Sequence, residues 1–255
     1  MSADLTPLAG ALRSRVDERT WRRLWSPADG MTGALEPLTE LAAQDDISAE
    51  ARAAARLACG AAPIRIDLAT AGGSRGVLAS WGCAGDAAAG AARVLAAPAG
   101  EEMRRTPGVE VSSCRPARIV GELLRLFPPG PDRVAAELSD PISLPLESAA
   151  MLPQVLADDR LLPEWLRQCD LTEVPLVLRA LAERPPRARA DLTMRVPDVP
   201  VAMRTWLRTG FGWVSVALSG DRAVHRLQGR EDIRADLVSL LAAAYDHVLE
   251  GAGHG

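Results

Sequence analysis

Two segments 114 residues apart carry the same apolar spacing, and this echo constrains the fold more than any motif in the chain. Ile119, Leu123, Leu124, Leu126 and Phe127 are answered by Ile233, Leu237, Val238, Leu240 and Leu241. Both sets recur at a helical period. Both follow β-like residues, Val109 and Val111 before the first and Ala223 and Val224 before the second. The echo predicts two related strand–helix units in one fold, with halves at 60–131 and 190–250 and a helical segment at 132–183 between them.

The strand signals support that division. Ile64, Ile66 and Leu68 alternate with Arg65 and Asp67, the pattern of a half-buried strand. Gly72 to Gly76 is a turn, and Val77 to Trp81 returns. A third strand is expected around Arg93 to Ala96 and a fourth over Val109 to Ser113. Pro116 suits the first turn of the helix that follows, and Pro128-Pro129-Gly130-Pro131 stops it. In the second half Leu192, Met194 and Val196 alternate. So do Val201, Met203, Thr205 and Leu207, with Trp206 on the opposite side. Gly210 to Gly212 turns the chain into Trp213 to Leu218, and a last strand over Ala223 to Leu227 leads into a helix over 230–249. Connections this short pair neighbours antiparallel, because parallel neighbours need a crossover. The fold class is therefore α+β, a central antiparallel sheet with helices.

Helices are expected over 5–25, around Leu35 to Ala42, and from Ser48 to about Cys59. Further short ones are expected near 132–138, 147–157, 161–169 and 173–183, with Glu183 to Ala190 as a linker. Gly82 to Ala92 is almost entirely Gly and Ala, and reads as a loop or a weak helix that a partner could order.

Composition excludes more than it proposes. The chain has 255 residues, long enough to bury roughly 70% of its unfolded surface. All 29 basic residues are arginine; lysine and asparagine are absent. The plain reading is a high-GC genome, such as an actinobacterium's. A net charge of −4 argues against a nucleic-acid footprint. The N-terminus lacks the cationic and apolar regions of a leader, and the apolar run Leu240 to Tyr245 is far short of a span. The expectation is a soluble, cytoplasmic protein. Cys59, Cys83, Cys114 and Cys169 lack C-x-x-C spacing and read as thiols in or near the core.

Catalytic signals are weak. Gly72-Gly73-Ser74-Arg75-Gly76 matches G-x-S-x-G, but a nucleophile elbow needs a strand before and a helix after it. A second strand is expected here instead, which makes a hairpin turn the better reading and a serine hydrolase using Ser74 the alternative. His225, His247 and His254 are scattered and have no ligand spacing with cysteine, so no metal site is expected. Asp45-Asp46 and Asp158-Asp159 read as loop acids. The arginines at 13, 15, 19, 22 and 23 read as the wet side of a helix. Without lysine no phosphate loop exists. The expectation is a protein that is not an enzyme, needs no cofactor, and works through its surface. A non-catalytic, self-associating domain is a further alternative.

Several stretches together resemble the EspG family, cytosolic chaperones of ESX (type VII) secretion in actinobacteria. They are LEPLTELAAQDDISAEARAAARLACGAAPIRIDLATA, RGVLASWGCAGD, VEVSSCRPARIVGELLRLFPPGP, LPEWLRQCDLTEVPLVLRALAERP and TWLRTGFGWVSVALSGDRAV. The resemblance covers about residues 8–250 and implies one EspG-like domain over 1–255. It also implies a central antiparallel sheet with quasi-twofold halves and helical subdomains, and no enzymatic activity. The implied partners are small helical PE–PPE-like secretion substrates, whose apolar tip the chaperone shields, with no nucleic acid and no membrane insertion. The resemblance places the substrate contact on an inter-strand loop matching Gly82 to Ala92 and on the C-terminal helical region. The expected contact residues are Trp81, Cys83 and Asp86, with Trp213 on the second hairpin.

Overall fold

A computed structural model of the chain describes residues 12–17, 62–85, 87–97, 102–134, 140–181, 186–196 and 199–252. The helices expected around 35–42 and 48–59 lie outside these residues. Eleven strands form one large, mostly antiparallel sheet, accompanied by five helices among the described residues. The strands are β1 (Leu12–Val16), β2 (Ile64–Gly72), β3 (Arg75–Ala84), β4 (Ala87–Ala96), β5 (Arg104–Arg105), β6 (Val109–Cys114), β7 (Ile142–Pro145), β8 (Ala188–Val196), β9 (Val199–Arg208), β10 (Trp213–Ser219) and β11 (Arg222–Gln228). The helices are α1 (Pro116–Leu124), α2 (Leu146–Val155), α3 (Leu162–Gln168), α4 (Leu176–Leu181) and α5 (Arg230–Ala252).

The strand order is β1-β6-β4-β3-β2-β8-β9-β10-β11-β7, with β5 joined to β4 off this path. From β2 outward the chain meanders through β3, β4 and β6, and a strand from earlier in the sequence, β1, closes the edge. From β8 outward it meanders through β9, β10 and β11, and β7, again from earlier in the sequence, closes the other edge. A helix follows the fourth strand of each series, α1 after β6 and α5 after β11. Ile64 to Ala188 and Arg75 to Val199 are both steps of 124 residues, whereas Pro116 to Arg230 is 114. The difference is taken up between β4 and β6, where the first series carries the excursion through β5.

The echo in the helices is partial. Ile119 and Ile233 are buried, as are Leu123 and Leu237, but Leu124 is buried where Val238 is exposed. Helix α1 ends at Leu124, so Leu126 and Phe127 lie in the turn beyond it. Pro128 and Pro129 stop α1 there, since a residue before proline is driven out of the helical region. Leu240 and Leu241 have no such stop after them and sit in the middle of α5.

Four expectations are corrected. The described part of the segment 5–25 is extended: β1 pairs antiparallel with β6, Val16 opposite Val109 and Leu12 opposite Ser113. Its Leu-Arg-Ser-Arg-Val pattern alternates, and pairing with β6 decides in favour of that period. Gly82 to Ala92 is neither loop nor helix. It is the end of β3, a turn at Gly85 (φ +57) and most of β4, paired from Arg75↔Ala96 to Ala84↔Ala87. Small residues give no strand signal, yet a strand between two others needs pairing partners more than propensity. Ala188 to Ala190 opens β8 and so is no linker, and residues 132–134 of the expected helix at 132–138 are not helical, the rest of it lying outside the described residues.

The chain divides into two compact units. The first comprises Met1–Pro128, Leu192–Ala202 and Leu237–Gly255. One face of its strands carries the buried Ile64, Ile66, Leu68, Val77, Ala79, Trp81 and Cys83, the alternation read from the sequence. Helix α1 packs on β4, and the Thr70 hydroxyl donates to the Leu126 carbonyl at 3.0 Å, tying the end of α1 to β2. Beside it lies a buried ionic triad. Arg125, its side chain 3% exposed, donates through Nε to Glu122 Oε2 at 2.8 Å and through Nη2 to Glu110 of β6.

The second unit comprises Pro129–Asp191 and Met203–Asp236. Its core gathers Leu144 of β7, Leu152 and Val155 of α2, Trp165 of α3, Val177, Leu178 and Ala180 of α4, Val214 of β10 and Leu227 of β11. Trp165 meets its polar requirement by donating to the Ser148 carbonyl at 2.9 Å. On the other face of these strands the Trp206 indole donates to Gln228 Oε1 at 3.0 Å, and Gln228 donates to Asp236 at 2.9 Å. Asp232 accepts from the Gly229 backbone N–H at 2.8 Å, which caps the start of α5.

Removing Arg125 takes its guanidinium away from the buried Glu122 and from the partly buried Glu110. Arg125→Met is expected to cost about 3–5 kcal/mol, the usual penalty for breaking a buried ion pair from one side. Arg125→Met with Glu110→Gln and Glu122→Gln is expected to regain most of that loss. Urea denaturation of the two variants checks both statements.

Candidate partner-binding surface

Of the four residues expected to contact a partner, the three that the structure describes, Trp81, Cys83 and Trp213, are buried. Trp81 and Cys83 point to the same face of β3, and both are buried. Trp81 lies opposite Gly90 in β4, and a Cβ at Gly90 would overlap the indole ring. The glycine is therefore a socket for the tryptophan. Burial pushes the Cys83 thiol up to about 12, Cys114 reinforces the shift and the Tyr245 hydroxyl of α5 opposes it. Burial likewise raises Tyr245 to about 12, with Cys83 beside it. A thiol held neutral this firmly is a packing group rather than a nucleophile. Trp213, in the second unit, is buried too, and Gly130 leaves the space its indole fills. The structure thus joins Trp81 and Cys83 to Tyr245 in a core, and none of the three expected contacts that it describes reaches the surface. Asp86 lies outside the described residues.

Ser74 sits on a two-residue hairpin turn. Gly72 pairs with Arg75, Gly73 takes φ +58 as the first position of a II′ turn requires, and strands flank it on both sides. The serine is exposed and its carbonyl accepts from Ala97 N at 2.9 Å. The helix that a nucleophile elbow needs after its serine is replaced by β3. His225 is buried in β11, His247 is exposed on α5, and His254 lies outside the described residues. Among the described residues no three His, Cys, Asp or Glu side chains gather as a metal site requires. No helix among them is long and apolar enough to cross a membrane.

Exposed apolar surface lies elsewhere, much of it in the second unit. Val216 of β10 is in register with Thr205 of β9, so their i±2 neighbours Leu218 and Met203 share that face of the sheet. Leu218 is 65% exposed and Met203 61%. Phe211, half-exposed, stands on the turn between the same two strands, held by the Thr209 hydroxyl, which donates to Gly212 O at 3.0 Å. Leu146 and Met151 of α2 and Leu161 just before α3 are also exposed. On the β9 face a polar flank adjoins them: Arg189 pairs with both oxygens of Asp191, and the Thr205 hydroxyl donates to Asp191 at 2.7 Å. Exposed apolar side chains grouped on rigid strands and helices, with fixed polar groups beside them, are the makings of a protein contact. Sequence periodicity assigned Met203 to a face, but it gave no sign that this face goes uncovered.

His225 gives the second unit a predictable response to acid. It stands opposite Ile142 of the edge strand β7 and Val216 of β10, with Nδ1 unpartnered. Burial lowers its pKa from 6.5, against a smaller upward pull from the Ala223 and Ile142 backbone. The unfolded chain therefore takes up the proton first as pH falls, so stability is full above about 6.5 and is lost below it. The urea midpoint is expected to drop between about pH 7.5 and 5.5, and His225→Gln to flatten that drop.

No family model matches the chain, and no curated protein matches its sequence.

Proposed function

We propose that this protein is a cytosolic chaperone or adaptor of the EspG type, one that holds small helical, PE–PPE-like substrates of a type VII secretion system soluble before export. In this reading the two meandering series, each running outward from the middle of the strand order and each followed by a helix, are quasi-twofold halves. Helices α2–α4 are then a helical subdomain. The protein acts by covering apolar surface on another polypeptide and not by making or breaking bonds.

The observation that carries the reading is the exposed apolar set of the second unit: Met203 and Leu218 on one sheet face, Phe211 on their turn, and Leu146, Met151 and Leu161 around α2 and α3. Such side chains are costly to leave in water at roughly 25 cal/mol per Å² of apolar area. An apolar helical tip would relieve that cost, while the Arg189–Asp191–Thr205 group sets orientation. The substrate contact accordingly moves away from Trp81, Cys83 and Trp213, which hold the cores together.

Co-expression with a paired helical secretion substrate encoded beside the gene tests the proposal. The wild type is expected to co-purify with the substrate and keep it soluble. Met203→Glu with Leu218→Glu is expected to weaken capture at least about tenfold, the effect of placing unpaired charge in an apolar contact. Thermal unfolding of the double variant should match the wild type, because both side chains are exposed. Failure of the wild type to retain any such substrate, or unchanged capture by the double variant, overturns it.

A further inference from the structure

The strands of the second unit carry, on the face opposite Met203 and Leu218, arginines that no described carboxylate answers. Register places Trp206, Ser215 and Arg226 in one row across β9, β10 and β11. By alternation Arg204, Ala217, Val224 and Arg222 share that face. Arg204 is half-buried, and its Nε is buried with no acceptor among the described residues. Arg226 is exposed, and neither arginine pairs with a described acid. Arg222 donates through Nε to Ser143 Oγ at 2.8 Å and through Nη2 to the Ser143 carbonyl at 2.7 Å. Those acceptors are neutral, so they hold the guanidinium in place without cancelling its charge. Arg208, on the same face beyond the buried Trp206, is tied to the Pro129 and Thr209 carbonyls. The acids at the start of α5 are already engaged: Glu231 with Arg133, Asp232 with the Gly229 N–H, and Asp236 with Gln228. Arg234, exposed in the second turn of α5, adds positive charge. Asp140, Glu147 and Asp221 lie exposed at the borders of these strands, and none forms an ion pair with Arg204, Arg222 or Arg226.

The spacing of these charges selects the occupant. At standard strand dimensions Arg204 lies two strands and two residues from both Arg222 and Arg226, about 12 Å between Cα atoms. Arg222 and Arg226 are four residues apart along β11, about 13 Å. The three enclose a floor of Ala217 and Val224, both half-buried. A lone phosphate or carboxylate meets one corner of this triangle and leaves the others unanswered. Carboxylates repeated along a polypeptide meet all three, since glutamates two turns apart on a helix stand about 11 Å from each other. A nucleic acid also repeats its charge, but a chain of net charge −4 repels it. The face also offers no exposed ring for a base to stack on, its Trp206 being buried. A second copy docked by this face would bring the same three arginines. A buried guanidinium N–H without an acceptor is a standing penalty that an incoming carboxylate removes. We propose that this face docks an acidic segment of a partner polypeptide, whose carboxylates answer Arg204, Arg222 and Arg226 over Ala217 and Val224. Met203 and Leu218 are on the other side of the same strands, so the proposal does not rest on the substrate reading.

The test uses the full chain and two synthetic, fluorescein-labelled, alanine-based helical peptides of about 18 residues. One repeats glutamate every three or four residues along one side, and the other has glutamine at the same positions. Fluorescence anisotropy at low salt is expected to show the glutamate peptide binding at least about tenfold more tightly, with added salt narrowing the gap. Arg204→Gln with Arg226→Gln is expected to weaken the glutamate peptide at least about tenfold, and Arg226→Gln alone about threefold. Arg115→Gln with Arg118→Gln removes the same charge from exposed arginines of the first unit and is expected to leave the affinity as it was. Circular-dichroism melts matching the wild type confirm that the variants fold. Because Arg226 is exposed, its single variant decides the matter even if the change at Arg204 disturbs the fold. Equal binding of the two peptides, or undiminished binding by the Arg204 and Arg226 variants, overturns the proposal. So does an equal loss in the Arg115 and Arg118 variant, which makes the attraction one of net charge alone. A single-stranded oligonucleotide that binds more tightly than the glutamate peptide, and is lost in the Arg204 and Arg226 variant, also overturns it, by assigning the face to nucleic acid.

Discussion

The fit of Trp81 against Gly90 organises the first unit. An indole is the largest group the sheet face must cover, and it can lie flat on the neighbouring strand only if that strand has no side chain there. Alanines flank Gly90 on both sides in β4, from Ala87 to Ala92, so α1 can pack closely on it. A β4 made of Val and Ile would satisfy strand propensity better and would push both the indole and the helix away. The strand therefore gives up intrinsic preference for close packing, which contributes more per residue once an element is buried. Trp213 and Gly130 repeat the device in the second unit.

The same trade explains what was legible in the sequence and what was not. Elements whose local pattern agrees with their surroundings could be read directly. Ile64-Arg65-Ile66-Asp67-Leu68 alternates because one face is apolar and the other carries Asp67, which accepts from Ser80 at 2.7 Å and pairs with Arg195. Helices α1, α2, α3, α4 and α5 were all read close to their observed bounds. The β3–β4 hairpin was not, because its residue types reflect packing rather than propensity. Strand β7 was missed for another reason. Four residues closed by Pro145 give too little pattern to register, and only pairing with β11 identifies them as a strand. Short length and a proline are also what keep an edge strand from recruiting another chain.

Trp81 and Cys83 carry a related ambiguity. Tryptophan and cysteine beside a Gly/Ala-rich stretch look like a contact surface if the stretch is a loop. They look like a core if it is a strand, and the structure places them in a core. Met203 and Leu218 raise the reverse problem. Each occupies a sound strand position, and exposure depends on whether a helix covers that stretch of sheet. Helices α2–α4 do cover Val214, Leu227 and Leu144, on the same face by alternation, but leave Leu218 open although it pairs with the buried Ala223. Coverage of this kind follows from where helices end, which local sequence records least well.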